Sequence, residues 1–146
     1  MKHNQYGFTL LEMLIVLSIV FTLSTATYFS LQSTYEKQVI HHFLKQFQED
    51  IWLAQEYAIS HSSYVDIMFL HSNNLYQLRE KGFGKLIMSR AFHPRIKIQL
   101  LTMTNPITFT PNGNINRAGS LYVIFNDQRY KVIFLLGRGR FYIEKL

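Results

Sequence analysis

Residues 8–31 read Phe8-Thr9-Leu10-Leu11-Glu12-Met13-Leu14-Ile15-Val16-Leu17-Ser18-Ile19-Val20-Phe21-Thr22-Leu23-Ser24-Thr25-Ala26-Thr27-Tyr28-Phe29-Ser30-Leu31, and Glu12 is the one charge among them. As an α-helix this stretch rises roughly 36 Å, enough to cross a hydrocarbon core of ~30 Å. A soluble core helix of that length carries a polar stripe, whereas here only Ser and Thr join Glu12 in interrupting the apolar run. A membrane-spanning helix is therefore expected over 8–31. No Gly or Pro occurs between Phe8 and Ser60, so nothing forces a break after Leu31. Beyond it Ile40, Phe43, Phe47, Ile51, Ala54 and Ala58 recur at steps of three and four, one face of an amphipathic helix. The spacing predicts one long helix that ends at His61-Ser62-Ser63.

From Tyr64 onward the helical period gives way to short β-rich runs. Tyr64–Leu70 and Leu75–Arg79 flank His71-Ser72-Asn73-Asn74, a hairpin turn in composition. Lys85–Ser89, Ile96–Leu101, Ile107–Thr110, Leu121–Phe125, Lys131–Leu136 and Phe141–Ile143 follow, with Gly and Pro as punctuation. The expected class is α+β: a long N-terminal helix, transmembrane then amphipathic, packed on a C-terminal, mostly antiparallel β-sheet. Trp52 and the other aromatic residues are read as core.

At 146 residues the chain has room for about one domain. Its 48% hydrophobic and 16% charged residues exclude a disordered chain, which lacks the apolar mass to offset ordering entropy. The absence of Cys excludes disulfides, thiolate metal sites and Cys nucleophiles. Charge is segregated. Residues 1–78 carry three basic and six acidic side chains, or −3; residues 79–146 carry twelve basic and three acidic, or +9.

The residues Gly7-Phe8-Thr9-Leu10-Leu11-Glu12-Met13-Leu14-Ile15-Val16-Leu17 resemble the class III leader of type IV pilins and pseudopilins. That family pairs a short basic leader ending in Gly with an aromatic-led apolar helix carrying Glu five residues in. The resemblance implies cleavage between Gly7 and Phe8 by a prepilin peptidase and N-methylation of Phe8. It also implies an assembly salt bridge from Glu12 to the Phe8 amine of a neighbouring subunit. The chain then divides into a leader (1–7), a transmembrane and assembly helix (8–31), its amphipathic continuation (32–60) and a β-rich extracellular body (61–146). Phe109-Thr110-Pro111-Asn112-Gly113, Gly119-Ser120-Leu121 and Gly137-Arg138 are similar to minor pseudopilins of the H or FimT-like kind. The Cys-free chain and basic body resemble most the ComGD-like minor pseudopilins of Gram-positive competence systems.

That resemblance implies a subunit of a competence pilus taking part in binding and uptake of extracellular DNA in transformation. The implied partners are the major and other minor pseudopilins, the prepilin peptidase and the pilus assembly platform. The implied location is a single pass of the cell membrane with the body outside, then the cell surface after assembly. A pseudopilin of a type II-like secretion system is the alternative. Gly137-Arg138-Gly139-Arg140 is the candidate DNA contact: if extended, Arg138 and Arg140 point to one side. Arg129 and Lys131 repeat that spacing, and such a row binds phosphates without reading bases. The opposing reading is a solvated edge strand whose cations discourage aggregation. The six His have no metal-ligand spacing, and neither a nucleophile elbow nor paired carboxylates occur, so no cofactor, metal or enzymatic activity is expected.

A secretory signal peptide would instead be cut after the apolar core, near Ser24-Thr25-Ala26. Intact mass of the mature protein decides between the two: N-methyl-Phe8 is the expected first residue, and a chain starting near Tyr28 would exclude the pilin-like leader.

Overall fold

The computed structural model describes residues 9–82, 84–137 and 139–146, with the side chains of 26–34 outside that description. Helix α1 spans Leu10–Ser60. The chain divides into two compact units, Met1–Val39 and Ile40–Leu146. The second is the folded body, built, among the described residues, from the last turns of α1 and eight strands.

The helix stops where the sequence indicates, by a defined device. Ser62 adopts a left-handed φ of 48°, the Ser62 N–H donates to the Ile59 carbonyl (3.3 Å), and the Ser63 N–H to the Ala58 carbonyl (3.1 Å). These are the two reverse bonds of a Schellman ending, here with Ser in the place usually held by Gly. They satisfy carbonyls that the broken helix would leave without partners.

The strands are β1 (Val65–Leu70), β2 (Leu75–Glu80), β3 (Leu86–Ala91), β4 (Ile96–Leu100), β5 (Ile107–Phe109), β6 (Gly119–Phe125), β7 (Gln128–Phe134) and β8 (Phe141–Lys145). The single sheet expected from sequence is two antiparallel sheets, ordered β3-β2-β1-β5 and β4-β6-β7-β8. The chain changes sheet three times between β3 and β6. Short-range pattern identifies each strand, but the choice of partner depends on contacts distant in sequence. Strand β7 also starts earlier than its apolar run suggests, at Gln128, and leaves Leu135 and Leu136 outside the ladder.

One side chain extends the first sheet and another bridges the two sheets. Asn105 stands where the β1–β5 register would place a partner for Phe69. Its amide supplies both ladder bonds, accepting from the Phe69 N–H (3.0 Å) and donating to the Phe69 carbonyl (2.9 Å). The His71 Nε2–H, after β1, donates to the Ile98 carbonyl of β4 in the other sheet (3.1 Å). Histidine here is structural.

The buried stripe of α1 in the body is Ile40, Phe43, Leu44, Phe47, Ile51, Ala54 and Ala58. Phe47 is fully enclosed, its ring centroid 5.4 Å from Tyr76, 5.8 Å from Phe43 and 6.0 Å from Phe69. Farther along, loop backbone approaches the helix at Gln55 and Ile59. A Cβ on Gly139 would lie 2.5 Å from the Gly113 carbonyl oxygen and 2.9 Å from Gln55, at a φ of +56°, so only Gly fits. Trp52 departs from its expected core role: it is 53% exposed and rests against Phe141 of β8, centroids 6.0 Å apart.

Asp50 is the one charged side chain of the helix buried among the described residues. Its Oδ2 accepts from the Tyr76 hydroxyl (2.5 Å) and from Arg90 Nε (3.3 Å), so one carboxylate ties α1 to β2 and β3. Burial of a lone carboxylate is costly and is offset only by such partners. Burial, then the hydrogen bond to Asp50 and its negative charge, hold the Tyr76 hydroxyl protonated well above the usual tyrosine range, against the opposing effect of Arg90. Above a pH of about 10 the unfolded chain releases this proton while the folded chain keeps it, so stability falls as pH rises there. Tyr76→Phe is expected to cost about 1–3 kcal/mol at neutral pH by leaving Asp50 short of a donor, and to flatten that alkaline loss. Denaturant unfolding of the full chain in detergent at neutral and alkaline pH measures both.

Candidate functional site

Two regions carry chemistry that the core does not use: the start of α1 and the outer face of the second sheet. At the helix start the Met13 N–H donates to the Thr9 carbonyl (3.2 Å) and the Glu12 N–H to Thr9 Oγ1 (3.3 Å). Thr9 is thus the N-cap and Glu12 the third helical residue, the Thr-x-x-Glu spacing of a capping box. Charge reasoning on the sequence overlooked this signal, which reads directly from Thr9-Leu10-Leu11-Glu12. A carboxylate in the first turn also meets the positive end of the helix dipole. Gly7 and Phe8, the expected processing and methylation positions, lie outside the described residues.

The described apolar side chains that follow are uncovered, with Leu10 79% and Phe21 75% exposed. Three of the hydroxyls among them are satisfied within the helix: Ser18 donates to the Ile15 carbonyl (2.8 Å), Thr22 to Ile19 (2.8 Å) and Thr25 to Phe21 (2.8 Å). Such back-bonding hides polar groups from apolar surroundings and leaves the Glu12 carboxylate as the conspicuous polar feature. Among the described residues no helix is long and apolar enough to cross a membrane. The described side chains 10–25 cover about 24 Å of rise, short of a ~30 Å core.

In the second sheet, Val123 and Phe125 of β6 and Val132 and Phe134 of β7 point to the core. Their neighbours point outward in registered rows. One row is Lys97–Ile124–Arg129, and the next is Gln99–Tyr122–Lys131–Glu144. Strand spacing puts Lys97 and Arg129 about 10 Å apart on either side of Ile124, with no acid in their row. Lys131 differs, since Glu144 stands opposite it. The Arg129 guanidinium lies 5.4 Å from the centre of the Tyr122 ring, which holds it along the sheet surface. At the corner of this face a concavity of about 350 Å³ is lined by Pro94, Arg95, Lys97, Ile124 and Asn126. Lys97 escaped the sequence reading because it lies far from Arg129 in the chain. The alternation Ile96-Lys97-Ile98-Gln99 held the signal that it faces outward.

The extended Gly137–Arg140 segment does not form. Gly137 and Gly139 have left-handed φ of +89° and +56°, neither of them extended, and the Leu135 N–H donates to the Arg140 carbonyl (2.8 Å) between β7 and β8. Arg140 is exposed there, and Arg138 lies outside the described residues. Arg129 sits at the other end of β7, about 16 Å of strand away from Phe134. The structure therefore groups Arg129 and Lys131 with Lys97 and separates them from Arg140.

Loss of the cap tests the helix start. Thr9→Ala is expected to weaken the first turn by about 1 kcal/mol and to speed amide exchange at Glu12 and Met13, with Thr9→Ser restoring protection. Hydrogen exchange on the full chain in micelles reads this.

Residues 2–28 match the family model of the prokaryotic N-terminal methylation motif. No solved structure matches the chain. The competence protein ComGD of Bacillus subtilis (strain 168) is 32% identical over 143 residues, covering 98% of this chain and 96% of that protein. An identity of that extent spans the capped helix start, the amphipathic turns and both sheets alike, and by it the chain belongs to the ComGD family of competence pseudopilins.

Proposed function

We propose that this pseudopilin is made as a single-pass membrane prepilin, cut between Gly7 and Phe8 and N-methylated at Phe8, then assembled into a competence pilus that binds and takes up extracellular DNA. Its partners in that reading are the major and other minor pseudopilins, the prepilin peptidase and the assembly platform. Glu12 serves assembly. A carboxylate among apolar helices is costly alone and tolerated beside a cation. The Phe8 amine of a neighbouring subunit is such a cation, and it exists only after the leader is removed. Processing and assembly are thereby coupled through one ion pair. In this reading Glu12→Ala leaves insertion and cleavage intact and lowers incorporation into the pilus. Full incorporation of the variant in sheared pilus fractions would reject that role.

The DNA-contacting surface in this reading is the outer face of β4-β6-β7-β8. The observation that carries it is the acid-free row Lys97–Ile124–Arg129 beside Tyr122 and Lys131. Cations spaced along a flat sheet meet successive phosphates, giving sequence-independent and salt-dependent affinity. Arg140 lies beyond the far end of β7 and, with Arg138, forms a separate candidate contact. Reversing Lys97 and Arg129 to Glu in the full chain is expected to abolish low-salt binding to a duplex, whereas single neutralisations reduce the log–log salt slope by about 1 each. Reversing Arg138 and Arg140 alone tests that contact. Duplex binding unchanged in all these variants would exclude direct contact by this subunit and leave DNA capture to another.

A further inference from the structure

On the inner side of the same sheet, between its β7–β8 edge and the first turns of helix in the body, lies an open groove of about 290 Å³. The helix contributes His41, Leu44, Lys45 and Gln48, which share one stripe at steps of three, one and three. The sheet contributes Tyr130 and its register partner Lys145, with Ile143 two residues earlier on the same face of β8. All of these residues belong to the body unit.

The chemistry of this lining is one-sided. Three basic side chains, His41, Lys45 and Lys145, converge on one concavity and no acid lines it. Glu144 alternates to the opposite face of β8, where it stands across from Lys131. Glu49, one turn beyond Lys45, makes no ion pair with it, and no carboxylate among the described residues lies within ion-pair distance of Lys45 or Lys145. Like charges gathered around a hollow with low-dielectric walls focus a positive potential. The floor is apolar, from buried Leu44 and half-buried Ile143 and Tyr130, and Gln48 adds a neutral amide donor. The Lys145 ammonium lies 5.8 Å from the Tyr130 ring centre, which holds it over the groove. The volume sits at the small end of the ~300–1,000 Å³ range of ligand pockets. It suits a compact anion or a headgroup, and its concave shape does not admit a duplex.

We propose that this groove is a phosphate-binding site, which takes either free phosphate or the phosphate of an anionic lipid headgroup. Two lysines and an imidazole supply charge-assisted hydrogen bonds to the phosphate oxygens, Gln48 supplies a neutral one, and the apolar floor faces the ligand's uncharged portion. The site lies on the opposite side of the sheet from Lys97 and Arg129, so it stands independently of DNA contact on the outer face.

The test uses the full chain, isotopically labelled. In zwitterionic micelles it is titrated with inorganic phosphate, and in nanodiscs phosphatidylcholine is compared with phosphatidylcholine containing phosphatidylglycerol. Saturable shifts at residues 41–48 and 143–145 are expected, weakened about tenfold or more in K45Q/K145Q and unchanged in K97Q. Shifts with inorganic phosphate assign the free anion. Shifts only with phosphatidylglycerol assign the headgroup. The mutated lysines are exposed, and an otherwise unchanged amide spectrum verifies that the fold is kept. Absence of saturable shifts in both arms, or their full retention in K45Q/K145Q, overturns the proposal, as does a groove that responds to duplex DNA alone.

Discussion

A single stripe of one helix has to serve two sheets, and that constraint organises the body. Ile40, Phe43, Phe47, Ile51, Ala54 and Ala58 are all buried. Their large members meet Phe69 and Tyr76 of the first sheet, while Trp52 on the flank of the stripe reaches Phe141 of the second. Near Gln55 and Ile59 loop backbone closes in, and glycine at 139 is required because Gly113 and Gln55 leave no room for a Cβ. The two buried carboxylates of this arrangement have hydroxyl donors. Asp50 takes Tyr76 and Arg90, and Asp66 takes the hydroxyl of Thr108 (2.6 Å).

The same geometry sorts the body's charge. Each strand of the second sheet spends alternate residues on the core, which leaves the intervening ones for solvent. Lys97, Arg129 and Lys131 fall outward by that rule, whereas Lys145 falls inward at an edge, above the groove beside His41 and Lys45. Part of the excess of +9 in residues 79–146 is thus placed on two faces of one sheet with different shapes, while Arg79 and Arg90 belong to the first sheet. A flat row suits an extended polyanion and a hollow suits a compact one.

The apolar half of α1 follows a different logic. It is uncovered among the described residues, Ser18, Thr22 and Thr25 bond back to their own helix, and its start is fixed by Thr9. Glu12 stands in the first turn near the positive dipole end with its side chain exposed, free of the helix core and open to a neighbour.

Much of this was legible in the sequence because it depends on near neighbours. The helix and its end at Ser60, the identity of every strand to within a few residues, the segregated charge and the pseudopilin-like N-terminus all follow from periodicity, turn residues and motif spacing. What the tertiary structure alone decided depends on pairing between distant segments. Sheet membership of β4 and β5, the burial of Asp50 against Tyr76 and Arg90, and the exposure of Trp52 have no local signal. The same holds for the basic residues. Sequence spacing suggested two i, i+2 pairs, Arg129 with Lys131 and Arg138 with Arg140, but the glycines flanking Arg138 are left-handed, and strand register brings Lys97 to Arg129. A side chain's face is set by alternation within its own strand, whereas its neighbours on that face are set by which strands pair.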